Sequence, residues 1–558
     1  MNKNNSIGVM YPSHLAAEAT IKEPSQPVFD LKKLLKDRTH RIAIGRWSAS
    51  LLIAVGMQIL VLSPSQAAPT EKEITDSGIT SAVEAGFKHE KGVSPNDVDV
   101  STSQGIVTLS GSGNNLLANE RAVKIAESIR GVRGVIDRIT VTPVSRPDAD
   151  IRKDILTALL QDPATESYQV AVAVQDAVAT LTGRVGSYTE KQLAARIAKG
   201  IKGVKEVRND VTINYLANRT DAEVDADVKA RLQWDIWING DLVKAAVKDG
   251  KVTLTGIVGS AIGKSRVFDD AWVNGAMSVD NSGVKIDPGA RNDARQKAKY
   301  ASRSDSEIKQ SVQAAFRLDP RVSAFFPDIT VEDGVVILGG VVGNLKAKTS
   351  AEQDVKNIAG VWGIENFLKV RPKGQSTDAE MKTQLKAALY WDPLLDSSTI
   401  DVGVNNRIAY LSGSVDSSFQ KAEAQDVAAR TKGVVLVHNH LKVEPEYSIS
   451  YYDWPNYSSY DWPYYNQYNP LPYSDSEIFW SQPYLSDEQI KRNIEDGFFW
   501  SPFVDRNDIK VTVDGGVATL TGTVGTWIGW GEADKDAHKG GATAVLNRVT
   551  VKKGAWLW

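Results

Sequence analysis

The sequence predicts an α+β protein, a tandem array of six small modules. Each would be an α-β-β-α-β unit with a three-stranded mixed sheet and two helices on one face. Three observations carry this expectation. A strand-into-turn phrase, apolar-x-Leu-x-Gly, recurs with its glycine at Gly111, Gly183, Gly256, Gly340, Gly413 and Gly522. An amphipathic helical pattern precedes each phrase, and a second one follows it. A strand with alternating apolar residues then closes a unit of about 70 residues.

The first helix is defined by apolar residues at i, i+4, i+7 and i+8, as in Met381, Leu385, Ala388 and Leu389, or Ile308, Val312, Ala315 and Phe316. That spacing builds one helical face. Four of these helices open on a capping box: Thr220 with Glu223, Ser304 with Glu307, Thr377 with Glu380, and Ser486 with Gln489. Asp162-Pro163, Asp319-Pro320, Asp392-Pro393 and Ser501-Pro502 stop the helix, because proline cannot continue its hydrogen-bond ladder. Two strands come next. Val170, Val172 and Val174 alternate in the first, and Val252 and Leu254 or their equivalents form the buried face of the second. Asp249-Gly250, Asp333-Gly334, Asn405-Asn406 and Asp514-Gly515 supply residues that accept the positive φ of a tight hairpin. Leu193, Ile197 and Ile201 mark the second helix. Gly131, Gly203, Gly360 and Gly433, each followed by valine, read as its left-handed cap. Pairs such as Val211 and Ile213 form the last strand.

These elements place modules at 70–145, 148–215, 220–288, 304–372, 377–445 and 486–553. A charged linker fills 289–303, and a Tyr/Trp/Pro-rich insert fills 446–485. Modules 3 and 6 share glycine-rich entries to the second helix, and modules 2 and 5 share the Asp-Pro stop and Gly-Val cap. This pattern suggests a triplet duplicated once. Residues 1–67 read as a targeting region. Arg38, Arg41 and Arg46 precede an apolar run from Trp47 to Leu62, and Ser65-Gln66-Ala67 offers small residues for cleavage. The run is shorter than the roughly 20 apolar residues of a comfortable membrane span. Cleavage near Ala67 leaves a periplasmic, membrane-peripheral protein. An uncleaved inner-membrane anchor facing the same side is the alternative.

The anchor phrase, the Gly-Val turn, and Asn209, Asn366, Asn439 and Asn547 near the last strand resemble the BON domain. The resemblance covers all six copies and implies the same α-β-β-α-β fold. It further implies an envelope location, roles in osmotic stress or envelope integrity, phospholipid binding in some members through a first helix, and no catalysis.

With 65 basic and 68 acidic residues and a net charge of −3, the chain lacks the basic excess that nucleic acid demands. It has no cysteine, hence no disulfide and no thiolate chemistry. His438 and His440 share a strand face but bring no further metal ligands. No convergent catalytic constellation is visible, so neither enzyme, cofactor nor metal is expected. Aromatic residues are the candidate contacts. Trp234, Trp391 and Trp500 fall at equivalent ends of the first helix in modules 3, 5 and 6, with Tyr390, Phe499 and Trp237 beside them. All lie off their own module's buried stripe. Such residues suit a lipid headgroup zone, and they suit a neighbouring module equally. Trp454 and Trp462 belong to the insert, which reads as a linker, a glycan-stacking surface or a membrane contact. The expected function is binding of anionic phospholipid or other envelope components, including protein partners. A periplasmic chaperone is the alternative.

Overall fold

The computed structural model describes residues 73–551 except 90–96, 167, 216–217, 237, 292–302 and 444–484. The targeting region, most of the charged linker and the aromatic insert with Trp454 and Trp462 therefore lie outside the described residues, as does Trp237. No described helix is long and apolar enough to cross a membrane.

Six α-β-β-α-β modules follow one another. Their first helices are Asp76–His89, Asp148–Gln161, Asp221–Trp234, Asp305–Leu318, Asp378–Trp391 and Asp487–Trp500. All four capping boxes form, each with both reciprocal hydrogen bonds. In every module the phrase-bearing strand is central. It pairs antiparallel with the strand before it and parallel with the last strand, as when Val243 faces Gly256 and Val252 faces Val279. Val107 and Leu109, Leu181, Leu254, Leu338, Leu411 and Leu520 are fully buried beneath the two helices. The opposite sheet face points outward. In modules 4 and 5 the last strand is broken into two short pieces.

The anchor glycine is required by crowding. Gly183 has φ +133°, and a Cβ there would meet the Gln169 carbonyl oxygen at 2.0 Å. Modules 1, 3, 5 and 6 repeat this close approach against Asp97, Leu242, Thr399 and Asp508. Module 4 relaxes it, because the nearest atom to a Cβ at Gly340 is an Asp328 carboxylate oxygen at 3.4 Å.

The Gly-Val turns differ from expectation. The second helices are Leu116–Glu127, Tyr188–Lys199, Ala261–Asp270, Leu345–Lys356, Ser418–Arg430 and Trp527–Lys539. They stop before Gly131, Gly203, Gly360 and Gly433, so these glycines sit in a further turn and are not the helix cap. Gly275 and Gly541 hold the same place in modules 3 and 6, and all six have φ from 90° to 99°. The positive φ folds the chain down onto the first apolar residue of the first helix, for instance Ile151 beneath Gly203 and Ile308 beneath Gly360.

The modules pack on one another by a repeated rule. The first residue of the second helix inserts into a neighbour. Leu116 of module 1 packs on the core of module 2, Tyr188 of module 2 stacks on Trp272 of module 3 at 3.9 Å, and Ala261 of module 3 joins the core of module 1. The order 1→2→3→1 closes a ring. In the second half, Trp527 of module 6 packs on module 4, and Leu345 of module 4 packs on module 5. Polar contacts reinforce these joints: Lys199 with Glu120, Ser265 with Glu127, and Lys346 with Asp426.

Candidate functional site

The aromatic residues at the end of the first helix lie where the two halves of the chain meet. Each of the three helices ends in a tryptophan whose main-chain carbonyl is left without an intrahelical donor. A neighbouring module supplies one. The Trp234 carbonyl accepts from the Ala359 N–H of module 4 at 2.9 Å, that of Trp391 from Lys202 of module 2 at 3.1 Å, and that of Trp500 from Arg130 of module 1 at 2.8 Å. The three donors hold one position, just before the turn glycine. This turn, expected to cap the second helix, is therefore a docking element.

The side chains follow the backbone. Trp391 packs against the core of module 2 and Trp500 against that of module 1, and all three indoles are half-buried. Phe499 is 4% exposed, edge-on to Trp500, with Arg130 and Arg506 at 5.2 and 5.5 Å from its ring centroid. Tyr390 stays 59% exposed, and the Lys202 ammonium lies 5.5 Å from its ring centroid. Burial holds Lys202 below the ordinary lysine range, with Asp392 and Asp396 opposing that shift.

Two of these joints carry buried charge. Between modules 3 and 4, Arg266 donates to Asp235 and lies 3.9 Å from Asp270, while Arg231 reaches Asp270 at 3.0 Å. Burial pushes Asp270 up to about 8, with Asp235 adding repulsion. Asp354 of module 4 is raised well above the usual carboxylate range by burial, then by Asp319. Around modules 2 and 5, Arg321 of module 4 forks onto Asp162 at 3.3 and 3.2 Å. Arg430 serves Glu423 and Asp426, each at 3.1 Å, and Asp392 at 3.9 Å. Burial first, and Glu423 second, push Asp392 up to about 7. A cavity of about 400 Å³ opens here among modules 1, 2, 4 and 5, with Leu117, Arg121, Ile197, Ala388 and Arg430 in its wall. Seven basic and five acidic side chains line it.

Sequence reasoning missed a contact present in every module. The first residue of the first helix is aspartate: Asp76, Asp148, Asp221, Asp305, Asp378 and Asp487. Its two carboxylate oxygens accept the paired N–H groups of the hairpin turn, as Asp221 does from Asp249 at 2.8 Å and Gly250 at 2.9 Å. The other five repeat it. The signal was available as an aspartate 28 residues before each turn. The motif asparagines are structural too. Asn209, Asn281, Asn366, Asn439 and Asn547 each donate to a main-chain carbonyl of the second helix.

Among the described residues no group of three His, Asp or Glu could hold a metal ion. His438 and His440 form a stacked row with Tyr410 on the outward sheet face of module 5, with centroids 5.2 and 6.1 Å apart.

Comparison with known proteins agrees with the repeat. The profile of the BON domain matches residues 75–143, 147–215, 220–287, 304–372, 377–445 and 486–553. Osmotically-inducible protein Y of Escherichia coli (strain K12) is 34% identical over 143 residues, spanning 24% of this chain and 71% of that protein. Outer membrane lipoprotein DolP of Haemophilus influenzae is 30% identical over 138 residues, again 24% of this chain and 71% of that protein. A solved structure of CdsD from Chlamydia trachomatis aligns at 14% identity over 37% of this chain and 90% of that one, but its TM-score of 0.10 carries no argument.

Proposed function

Since the chain belongs to the BON domain family, we propose that it is a non-enzymatic periplasmic protein that binds anionic phospholipid in an osmotic-stress or envelope-integrity response. The names of two relatives, one osmotically inducible and one an outer-membrane lipoprotein, support the setting. The observation that carries lipid contact is Tyr390. Its ring is 59% exposed beside a lysine at the joint between modules 2 and 5. A phenol at a surface next to an ammonium suits a headgroup zone, with the ring among glycerol and acyl carbons and the cation on phosphate. Trp234, Trp391, Phe499 and Trp500 would add to this contact only when the joints between modules open. Peripheral attachment and several weak contacts on one chain fit multivalent binding.

Flotation of the mature protein with vesicles containing phosphatidylglycerol tests the reading. Wild type should rise with the vesicles, and Tyr390→Ala should lower the bound fraction severalfold at unchanged monomer mass. Wild type remaining at the bottom of the gradient would sink it. A second reading, a holder of unfolded clients, draws on Phe326, Val341 and Phe367 of module 4, which are 82%, 44% and 63% exposed. Suppression of client aggregation without flotation would favour it.

A further inference from the structure

The cavity of about 400 Å³ belongs to no single module. Modules 1 and 2 give Leu117 and Ile197 to its wall, module 5 gives Ala388 and Phe419, and module 4 gives Arg321 and Lys346. One BON unit cannot form it, so it exists only where the chain assembles four. Its volume falls within the range of small-molecule pockets, about 300–1,000 Å³. The charges in the wall favour an anion. Of the acids, Asp162 is held by Arg321, Asp426 by Lys346 and Arg430, Glu423 by Arg430, and Glu120 by Lys199. The remaining acid, Asp392, lies 3.9 Å from Arg430, and burial raises it to about 7, so it carries less than a full charge near neutrality. Of the bases, Lys124 and Arg196 donate to no carboxylate among the described residues. Both are exposed, on the second helices of modules 1 and 2. Gln384 adds to the wall a buried amide oxygen with no hydrogen-bond partner among the described residues. Such an acceptor costs free energy until a donor meets it.

We propose that this cavity is a binding site for a single-chain amphiphile with an anionic head, carboxylate or phosphate. Its chain packs on Leu117, Ile197, Ala388 and Phe419, and its head meets Lys124 and Arg196. A hydroxyl of the ligand donates to Gln384. A space of about 400 Å³ has no room for the two long chains of a bilayer phospholipid, so the occupant is taken up as one molecule and not as a surface. The site is thus independent of the bilayer contact assigned to Tyr390. Vesicle flotation can fail while the cavity still fills.

Native mass spectrometry of the folded mature protein tests the proposal with decyl phosphate and decanoate, both below their micelle concentrations. The pair distinguishes a phosphate head from a carboxylate head. At least one of them should bind, one molecule per protein. Inorganic phosphate lacks the chain and decyltrimethylammonium lacks the negative charge, so each should bind at least about tenfold more weakly. Ala388→Trp, which fills the cavity, should weaken the binding about tenfold, and so should the double variant Lys124→Gln with Arg196→Gln, which removes the head's partners. The double variant changes exposed residues only, so it decides the matter by itself if Ala388→Trp does not fold. No single-ligand complex with either anion, equal binding of the cationic amphiphile, or unchanged affinity in a folded variant would each overturn the inference.

Discussion

Aspartate at the first helical position performs two tasks in each module. It faces the positive end of the helix, and it holds the hairpin turn through both carboxylate oxygens. Asn at Asp221 would keep the shape but leave one oxygen to do the work of two. Asp221→Asn should therefore cost about 1.5–3 kcal/mol locally, the range for hydrogen bonds to a charged group. Faster amide exchange at Asp249 and Gly250 would register the loss. The anchor glycines make a sharper comparison. Gly183→Ala places a methyl 2.0 Å from a carbonyl oxygen at φ +133°, whereas the nearest atom to the Gly340→Ala methyl is a carboxylate oxygen at 3.4 Å. The first should cost about 2–4 kcal/mol and the second about 1–2 kcal/mol, since both pay for positive φ and only one pays for the clash. Chemical-denaturation midpoints of the two variants would order them, and equal midpoints would contradict the account.

The ends of the helices are where modules recognise one another, and there the joint between modules 3 and 4 holds buried acid. Asp270 faces Asp235, Arg231 and Arg266 within its module, with Asp269 on its own helix. Asp319 and Asp354 approach from module 4. Asp270 is raised from 3.8 to about 8, so the folded state holds its proton more tightly than the unfolded chain does. Its contribution is complete below pH 3.8, falls as pH rises toward about 8, and is level beyond that. Thermal unfolding should therefore show a midpoint that declines across this window. Asp270→Asn, which carries no titrating proton, should flatten the decline. An unchanged slope in the variant would assign the pH dependence elsewhere.

Across the whole molecule, three first-helix ends are satisfied by a turn of a neighbouring module instead of water. Modules 3, 5 and 6 with their first-helix ends exposed would leave three indoles bare, and bare aromatic surface favours association. Closing the chain on itself buries part of that row and leaves Tyr390 outside. The flotation experiment addresses this scale by asking what touches the outward groups.

Much of the module was legible in the chain. The helix-strand-strand-helix-strand order, the four capping boxes, the hairpin turns and the buried faces follow from periods of 3.6 and 2 and from residues that tolerate positive φ. These are local properties, and six copies repeat them. The resemblance of module 3 to 6 and of 2 to 5 was legible as well. The sequence did not reveal where Trp234, Trp391 and Trp500 go. Lying off a module's own stripe is compatible with lipid, solvent or a neighbour, and only the assembled chain decides among them by bringing Ala359, Lys202 and Arg130 to their carbonyls. The docking turn was hidden for the same reason. A glycine with positive φ looks alike at a helix cap and one turn later, and its partner lies between 125 and 370 residues away in the chain. Local pattern determined the module, and contacts between residues remote in sequence determined which of its surfaces remain free.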